Sequence, residues 1–259
     1  MHIRFTGEPD SVHKRPPLNH RVLGANPVTA FWKASIPPIS TMTDNLPNKE
    51  SNNLPDKVPN LSNGQSTTQL KAKLRTQLRT LRGELTAQDI NQAGEGLAKQ
   101  YLKHLAGKPY QKVAIYLQHD NEVGTAQLIK QLIAQDTELY IPKIDSDRNN
   151  HSMEFCRYYP DQQLITNHFG IAEPIKNDFI DVNALDIIFM PLTAFDIDGN
   201  RLGMGGGYYD RALAKLTNQA TVLAGLAYDF QRIPLCPKEA FDQSLKIVLT
   251  PTTLIDFQA

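Results

Sequence analysis

The sequence is poor in the residues that build cross-linked or metal-centred scaffolds. It has two cysteines in 259 residues, Cys156 and Cys236, too few for a disulfide framework or a cysteine-ligated zinc site. A reducing compartment, the cytoplasm, is the expectation. An excess of either charge is also missing, because 27 Lys and Arg balance 27 Asp and Glu, so no overall field draws the chain to nucleic acid or to an anionic membrane. Any anion site must be local. Apolar runs such as Val222 to Ala227 are far shorter than the ~20 residues that span a bilayer, which excludes an integral membrane protein of the helical kind. Binding of nucleic acid would need aromatic platforms and more basic surface than the chain offers. Gly-x-Ser-x-Gly, His-x-x-x-His and Gly-Lys-Ser/Thr motifs are absent too. That points away from a hydrolytic triad, a zinc enzyme and a P-loop.

Proline is spread unevenly. Nine of the 17 prolines fall in residues 1–66, among many Asn and Ser and without helical or strand periodicity. Such a segment cannot bury enough apolar surface to offset chain entropy, so it is predicted to be a disordered N-terminal extension. Met42 opens a cleaner polar lead-in, so a mis-assigned start that adds residues 1–41 is the other reading. No apolar segment follows Arg4, Lys14, Arg15 and Arg21, and Glu8 and Asp10 interrupt the charge, which argues against a targeting peptide.

Residues 67–259 read as one domain. Ser66-x-x-Gln69 resembles a capping box ahead of Leu70, Leu74, Leu78, Leu81 and Leu85, so a helix is predicted from about 68 to 83. Thr86 suits the cap of a second helix reaching about Leu105. A strand at 113–117, a helix at 125–135 and a strand at 139–144 interrupted by Pro142 make a β-α-β unit. Strands follow near 152–158, 185–190, 221–227 and 246–250, with a helix near 206–217. Alternating strands and helices predict an α/β layered domain with a largely parallel sheet.

The densest chemical signal is the run Asp198 to Arg211, where Gly203, Gly205, Gly206 and Gly207 stand between a strand and a helix. Glycines there let the backbone turn its N–H groups toward an anion, and the helix start adds to the cradle. A flexible strand-to-helix turn accounts for the same glycines without a ligand. Tyr208 stands where the dinucleotide fingerprint needs glycine, so that fingerprint is excluded. The first helix carries Lys71, Arg75, Arg79 and Arg82 at helical spacing, either a solvated basic face or the wall of an anion site. His119-Asp120-Asn121-Glu122 follows the first strand, at the sheet edge where ligands gather. Glu122 can hold a polar ligand there, while Asp120 or Asn121 equally suit helix capping. Asp242, taken alone, is a loop carboxylate of the kind that is mostly solvated.

The run Gly199-Asn200-Arg201-Leu202-Gly203-x-Gly205-x-Gly207-Tyr208-Tyr209-Asp210 closely resembles the 5-formyltetrahydrofolate cyclo-ligase family. Lys71-x-x-x-Arg75, Tyr140-Ile141-Pro142-Lys143, Gly170-Ile171-x-Glu173-Pro174 and Phe189-Met190-Pro191 with Phe195-Asp196 support the match in the family's order. The resemblance implies a three-layer α/β/α fold similar to ribose-phosphate isomerases and CoA transferases. It implies a monomeric enzyme that closes 5-formyltetrahydrofolate into 5,10-methenyltetrahydrofolate at the expense of MgATP, through a phosphorylated formyl group. A non-catalytic protein that binds nucleotide or folate on the same fold is the alternative. By resemblance, Lys71, Arg75 and Arg201, Leu202, Gly203, Met204, Gly205, Gly206, Gly207, Tyr208 and Tyr209 contact ATP. Leu117 and Glu122 contact the folate, together with Met204 to Tyr208, and Asp210 and Asp242 hold magnesium. Relatives carry basic side chains where Met204 and Gly206 stand, so here Lys71, Arg75, Arg201, Arg211 and the metal are left to face the triphosphate.

Overall fold

Ser66 and Gln69 cap each other: the Gln69 N–H donates to the Ser66 hydroxyl at 3.4 Å, and the Ser66 N–H donates to the Gln69 side chain at 3.1 Å. This capping box, legible in the sequence, starts α1, Thr67–Gly83, in a computed structural model that describes residues 66–145, 150–239 and 242–258. The predicted extension therefore lies outside the described residues, apart from its last one. A second box between Thr86 and Asp89 opens α2, Ala87–His104.

Then follow β1 (Lys112–Ala114), α3 (Ala126–Ala134), β2 (Glu138–Ile144) and β3 (Met153–Tyr158). Next come β4 (Leu164–Thr166), β5 (Ala172–Pro174), β6 (Phe179–Ile180) and β7 (Ile187–Pro191). The chain continues with β8 (Ala194–Phe195), β9 (Arg201–Leu202), α4 (Tyr208–Leu213), β10 (Val222–Leu226), β11 (Ile247–Leu249) and β12 (Leu254–Asp256).

The main sheet has the order β12-β11-β10-β7-β1-β2-β3-β6. Its five central strands are parallel, and β12, β3 and β6 pair antiparallel at the edges. Side chains of β7 show why the domain has three layers. Ile187 and Phe189 join one apolar cluster with Leu97 and Tyr101 of α2 and Leu128 and Leu132 of α3. Ile188 and Met190 join the other, with Ala212 and Leu213 of α4. Successive side chains point to opposite faces, so a strand apolar at every position is buried on both. A third cluster sets Leu74 and Leu78 of α1 on Ala194 and Leu202 of the small β8–β9 hairpin.

Three expectations need correction. Pro142 does not interrupt β2, since it pairs with Phe155 of β3 in an unbroken antiparallel register. The Tyr140 carbonyl accepts from Ile115 at 2.9 Å and the Ile144 N–H donates to Glu173 at 2.8 Å, so the Pro142 nitrogen faces past the end of β1, where no ladder bond is lost. The first strand stops at Ala114, three residues short of its predicted end. The helix after the glycines is six residues long, not twelve: Gly207 caps it in a left-handed conformation, φ +67°, so that it starts two residues late at Tyr208, and it ends four residues early at Leu213, where the Lys215 and Leu216 N–H groups turn to the carbonyls three residues back.

Candidate active site

Parallel strands end together on one side of a sheet, and ligands gather there. Here Tyr116 and Leu117 beyond β1 and Pro191 at the end of β7 form the floor of a cleft of about 490 Å³. Lys71 and Arg75 of α1 line the same cleft, with Arg201 to Asp210, Glu122 and Asp242. Every site residue expected from the sequence is thus brought to one concavity, from positions up to 171 residues apart.

The packing of α1 on the β8–β9 hairpin carries its cations to the glycine loop. Arg75 donates from Nε to the Gly203 carbonyl at 2.9 Å. A Cβ at Gly205, where φ is +103°, would meet the Arg75 guanidinium carbon at 3.3 Å, so loop backbone and guanidinium lie in direct contact. Lys71, 8% exposed, is no solvated base. Its Nζ lies 2.9 Å from Asp242 Oδ2 and 3.2 Å from Glu239 Oε2. Burial works against the ammonium, yet the two carboxylates outweigh it and raise the Lys71 pKa. Burial likewise opposes the Asp242 charge, but the Glu239 N–H and Lys71 hold its carboxyl below the ordinary range.

Arg201, 7% exposed, pairs through Nη2 with Asp210 Oδ1, while its buried Nε has no hydrogen-bond partner among the described residues. Its place is set by Asp196, which is fully buried and accepts from the N–H groups of Asp198, Asn200 and Cys236 at 2.9–3.0 Å. The Asn200 side chain is a fourth donor, at 3.0 Å. Arg211 donates to the carbonyls of Gly206 and His151, the latter at 2.8 Å, and its guanidinium lies 5.4 Å from the centre of the Tyr208 ring. Tyr208 meets Phe169 edge-on at 5.8 Å. Tyr209 packs against Phe155, and its buried hydroxyl has no partner among the described residues.

On the other side, Glu122 accepts from the His119 N–H at 3.2 Å. Burial raises its pKa to about 7, against the opposing pull of Arg82 and the His119 N–H. Neither Asp120 nor Asn121 caps a helix, since α3 starts at Ala126, and both residues adopt left-handed backbone, φ +47° and +54°.

Asp210 and Asp242 suit a hard cation. Each gives one oxygen to a protein cation, and the other has no protein hydrogen bond among the described residues. Two carboxylates, completed by phosphate oxygens and water, are the kind of donor set magnesium prefers. No group of three His, Cys, Asp or Glu able to hold a metal occurs among the described residues.

Several site residues escaped the sequence reading. Glu239 and Thr68 line the cleft, but nothing in their local pattern separates them from ordinary surface residues; Glu173, 3% exposed, lines it too and stands in the Gly170-Ile171-x-Glu173-Pro174 motif, which assigned it no role. Arg82 carried one signal, its place in the basic stripe.

A glycine-rich loop beside buried cations, set where parallel strands end, is the arrangement expected of an α/β enzyme that handles phosphate. The comparisons make this specific. The model of the 5-formyltetrahydrofolate cyclo-ligase family matches residues 67–251, and the chain belongs to that family. The 5-formyltetrahydrofolate cyclo-ligase of Haemophilus influenzae is 38% identical over 184 residues, covering 70% of this chain and 98% of the relative. The Escherichia coli K12 enzyme of that name is 33% identical over 177 residues, covering 68% and 97%. The NMR structure of Aquifex aeolicus 5,10-methenyltetrahydrofolate synthetase superposes with a TM-score of 0.64 at 28% identity, covering 73% of this chain and 94% of that one.

Proposed function

We propose that this cleft binds ATP and 5-formyltetrahydrofolate side by side and performs the family's reaction, the ATP-dependent closure to 5,10-methenyltetrahydrofolate with release of ADP and phosphate. Residues 67–259 form the catalytic domain. The observation that carries the reading is the convergence of the glycine loop, α1 and the Glu122 turn on one cavity of about 490 Å³.

The work divides by chemistry. Lys71, Arg75 and Arg201 face the triphosphate, and Leu202 to Tyr209 wrap it with backbone N–H groups. Leu117 packs on the pterin, Glu122 accepts its N–H donors, and the strip Met204 to Tyr208 separates the two substrates. Asp210 and Asp242 hold Mg²⁺, which when bound neutralises phosphate charge. The formyl oxygen of an N-formyl group is a poor leaving group. Its attack on the γ-phosphorus breaks the bond to ADP and gives an iminium phosphate. N10 then adds to the formyl carbon and gives up its proton, the C–O bond breaks, and the oxygen departs with the phosphoryl group as hydrogen phosphate, which carries that proton in the overall balance. The protein mainly orients the two substrates and balances charge, as phosphoryl transfer requires.

Each proposed group comes from a single chain, so the enzyme acts as a monomer in this reading. Cys156 and Cys236 are free and buried, in keeping with a cytoplasmic home, and no described helix is long and apolar enough to cross a membrane. Incubating the full chain with 5-formyltetrahydrofolate and MgATP tests the assignment. Near-ultraviolet absorbance of the methenyl product should grow in step with ADP. Absence of product from a folded sample would overturn it.

A further inference from the structure

The turn that presents Glu122 is left-handed at two successive residues and is gripped from both sides. Asp120 and Asn121 both have positive φ, +47° and +54°, a conformation that Asp and Asn tolerate better than other side chains. The anchor is Arg82, in the last turn of α1 and 2% exposed. Its Nη2 donates to the Asp120 carbonyl at 2.6 Å and to Asp120 Oδ2 at 2.9 Å, and the Asn121 side chain donates back to the Arg82 carbonyl at 3.2 Å. From the opposite side, the Tyr228 hydroxyl lies 3.1 Å from the carbonyls of both Asn121 and Glu122.

A guanidinium buried only to brace a loop would satisfy its donors there. Arg82 does not: its Nε and Nη1 are buried without partners among the described residues. Leaving such donors unpaired is costly unless their charge is used. We propose that Arg82 is a positioning residue for the reaction, which acts through Asp120 to aim the Glu122 carboxylate into the folate side of the cleft. The inference rests on the reading of Glu122 as the group that accepts the pterin N–H donors. Arg79 reaches the same Asp120 oxygen at 3.2 Å but is half exposed, so it is the weaker support.

Around the Glu122 carboxylate stand Arg82, Asp120, the His119 turn and the hydroxyls of Tyr116, Tyr209 and Tyr228. Arg82 is the positive charge among them that favours the carboxylate form. Weakening it therefore moves the acid limb of folate binding to higher pH, an effect that loss of packing alone would not produce.

The test uses the full chain with 5-formyltetrahydrofolate and MgATP. Arg82→Lys, which keeps the charge but loses the two-point grip on Asp120, should raise the KM for the folate about tenfold, the size of one lost charge-assisted hydrogen bond, and leave the KM for ATP unchanged. Arg82→Gln, which also loses the charge, should in addition shift the acid limb upward. Should Arg82→Lys fail to fold, Asp120→Gly decides the question, because glycine accepts the positive φ while the carboxylate anchor is lost; a raised folate KM with normal ATP KM is expected. The double variant Arg82→Lys/Glu122→Gln should be no worse than Glu122→Gln alone. A raised folate KM in Glu122→Gln beside unchanged values in Arg82→Lys and Asp120→Gly would sink this proposal alone. An unchanged folate KM in Glu122→Gln would sink the Glu122 assignment and the proposal with it.

Discussion

Arg75 and Gly203 are joined by a 2.9 Å hydrogen bond from the guanidinium Nε to the carbonyl, and through it the first helix becomes one wall of the glycine loop. Two segments far apart in the chain thereby line one cleft, the proposed anion site. The loop can approach the guanidinium because Gly205 offers no side chain: a Cβ there would sit 3.3 Å from Arg75.

Arg75→Ala removes the charge proposed to face the triphosphate and a support from the loop. Charge-assisted contacts contribute ~1.5 to 3 kcal/mol, so the KM for ATP should rise at least tenfold. Steady-state kinetics at saturating folate measure it. An unchanged KM for ATP would remove Arg75 from the nucleotide site.

Asp210→Asn should raise the magnesium concentration needed for half-maximal rate, since an amide is a weaker ligand for a hard cation than a carboxylate. The readout is a metal titration at fixed ATP. A curve superimposable on that of the unmodified protein would contradict the assignment.

Glu122 makes a pH prediction whose sign is fixed by its environment. Burial raises its pKa to about 7, so the hydrogen-bond acceptor is lost as pH falls through about 7, and the KM for the folate should rise below that value. Glu122→Gln should flatten this dependence. Stability runs the other way. A carboxyl whose folded pKa exceeds its unfolded value, 4.5, stabilises the fold in its protonated form, so stability is lost as pH rises from about 4.5 to about 7. Thermal denaturation at pH 8 should find Glu122→Gln more stable than the unmodified protein. An equal or lower melting temperature would argue against a strained carboxylate.

Asp196 accepts four N–H donors with no exposure to solvent. Asp196→Ala would leave them all unpaired and should cost at least about 3 kcal/mol. Denaturant unfolding checks this, and a loss under about 1 kcal/mol would show that water or a rearranged turn replaces the carboxylate.

Sequence reasoning reached what depends on periodicity and local chemistry. The capping box at Ser66, the two-faced strand at Ile187 to Met190 and the glycine run each announce their structure through nearest neighbours. It did not reach what depends on the partner strand. Whether Pro142 breaks a ladder is decided by where β1 ends, and β4, β5, β8 and β9 have two or three residues each, too few to show a period. The site followed the same division. Resemblance to the family's motifs located Lys71, Arg75, the loop and the two carboxylates, but the burial of Arg82, 11 positions after Lys71 in the same stripe, is set by the Asp120 turn that it meets.

The central claim is that this cleft transfers the γ-phosphoryl group to the formyl oxygen. Turnover with 5-formyltetrahydrofolate carrying ¹⁸O in the formyl group, followed by mass analysis of the released phosphate, tests it most directly. One labelled oxygen in each phosphate is expected; label appearing in water, with unlabelled phosphate, would rule this transfer out.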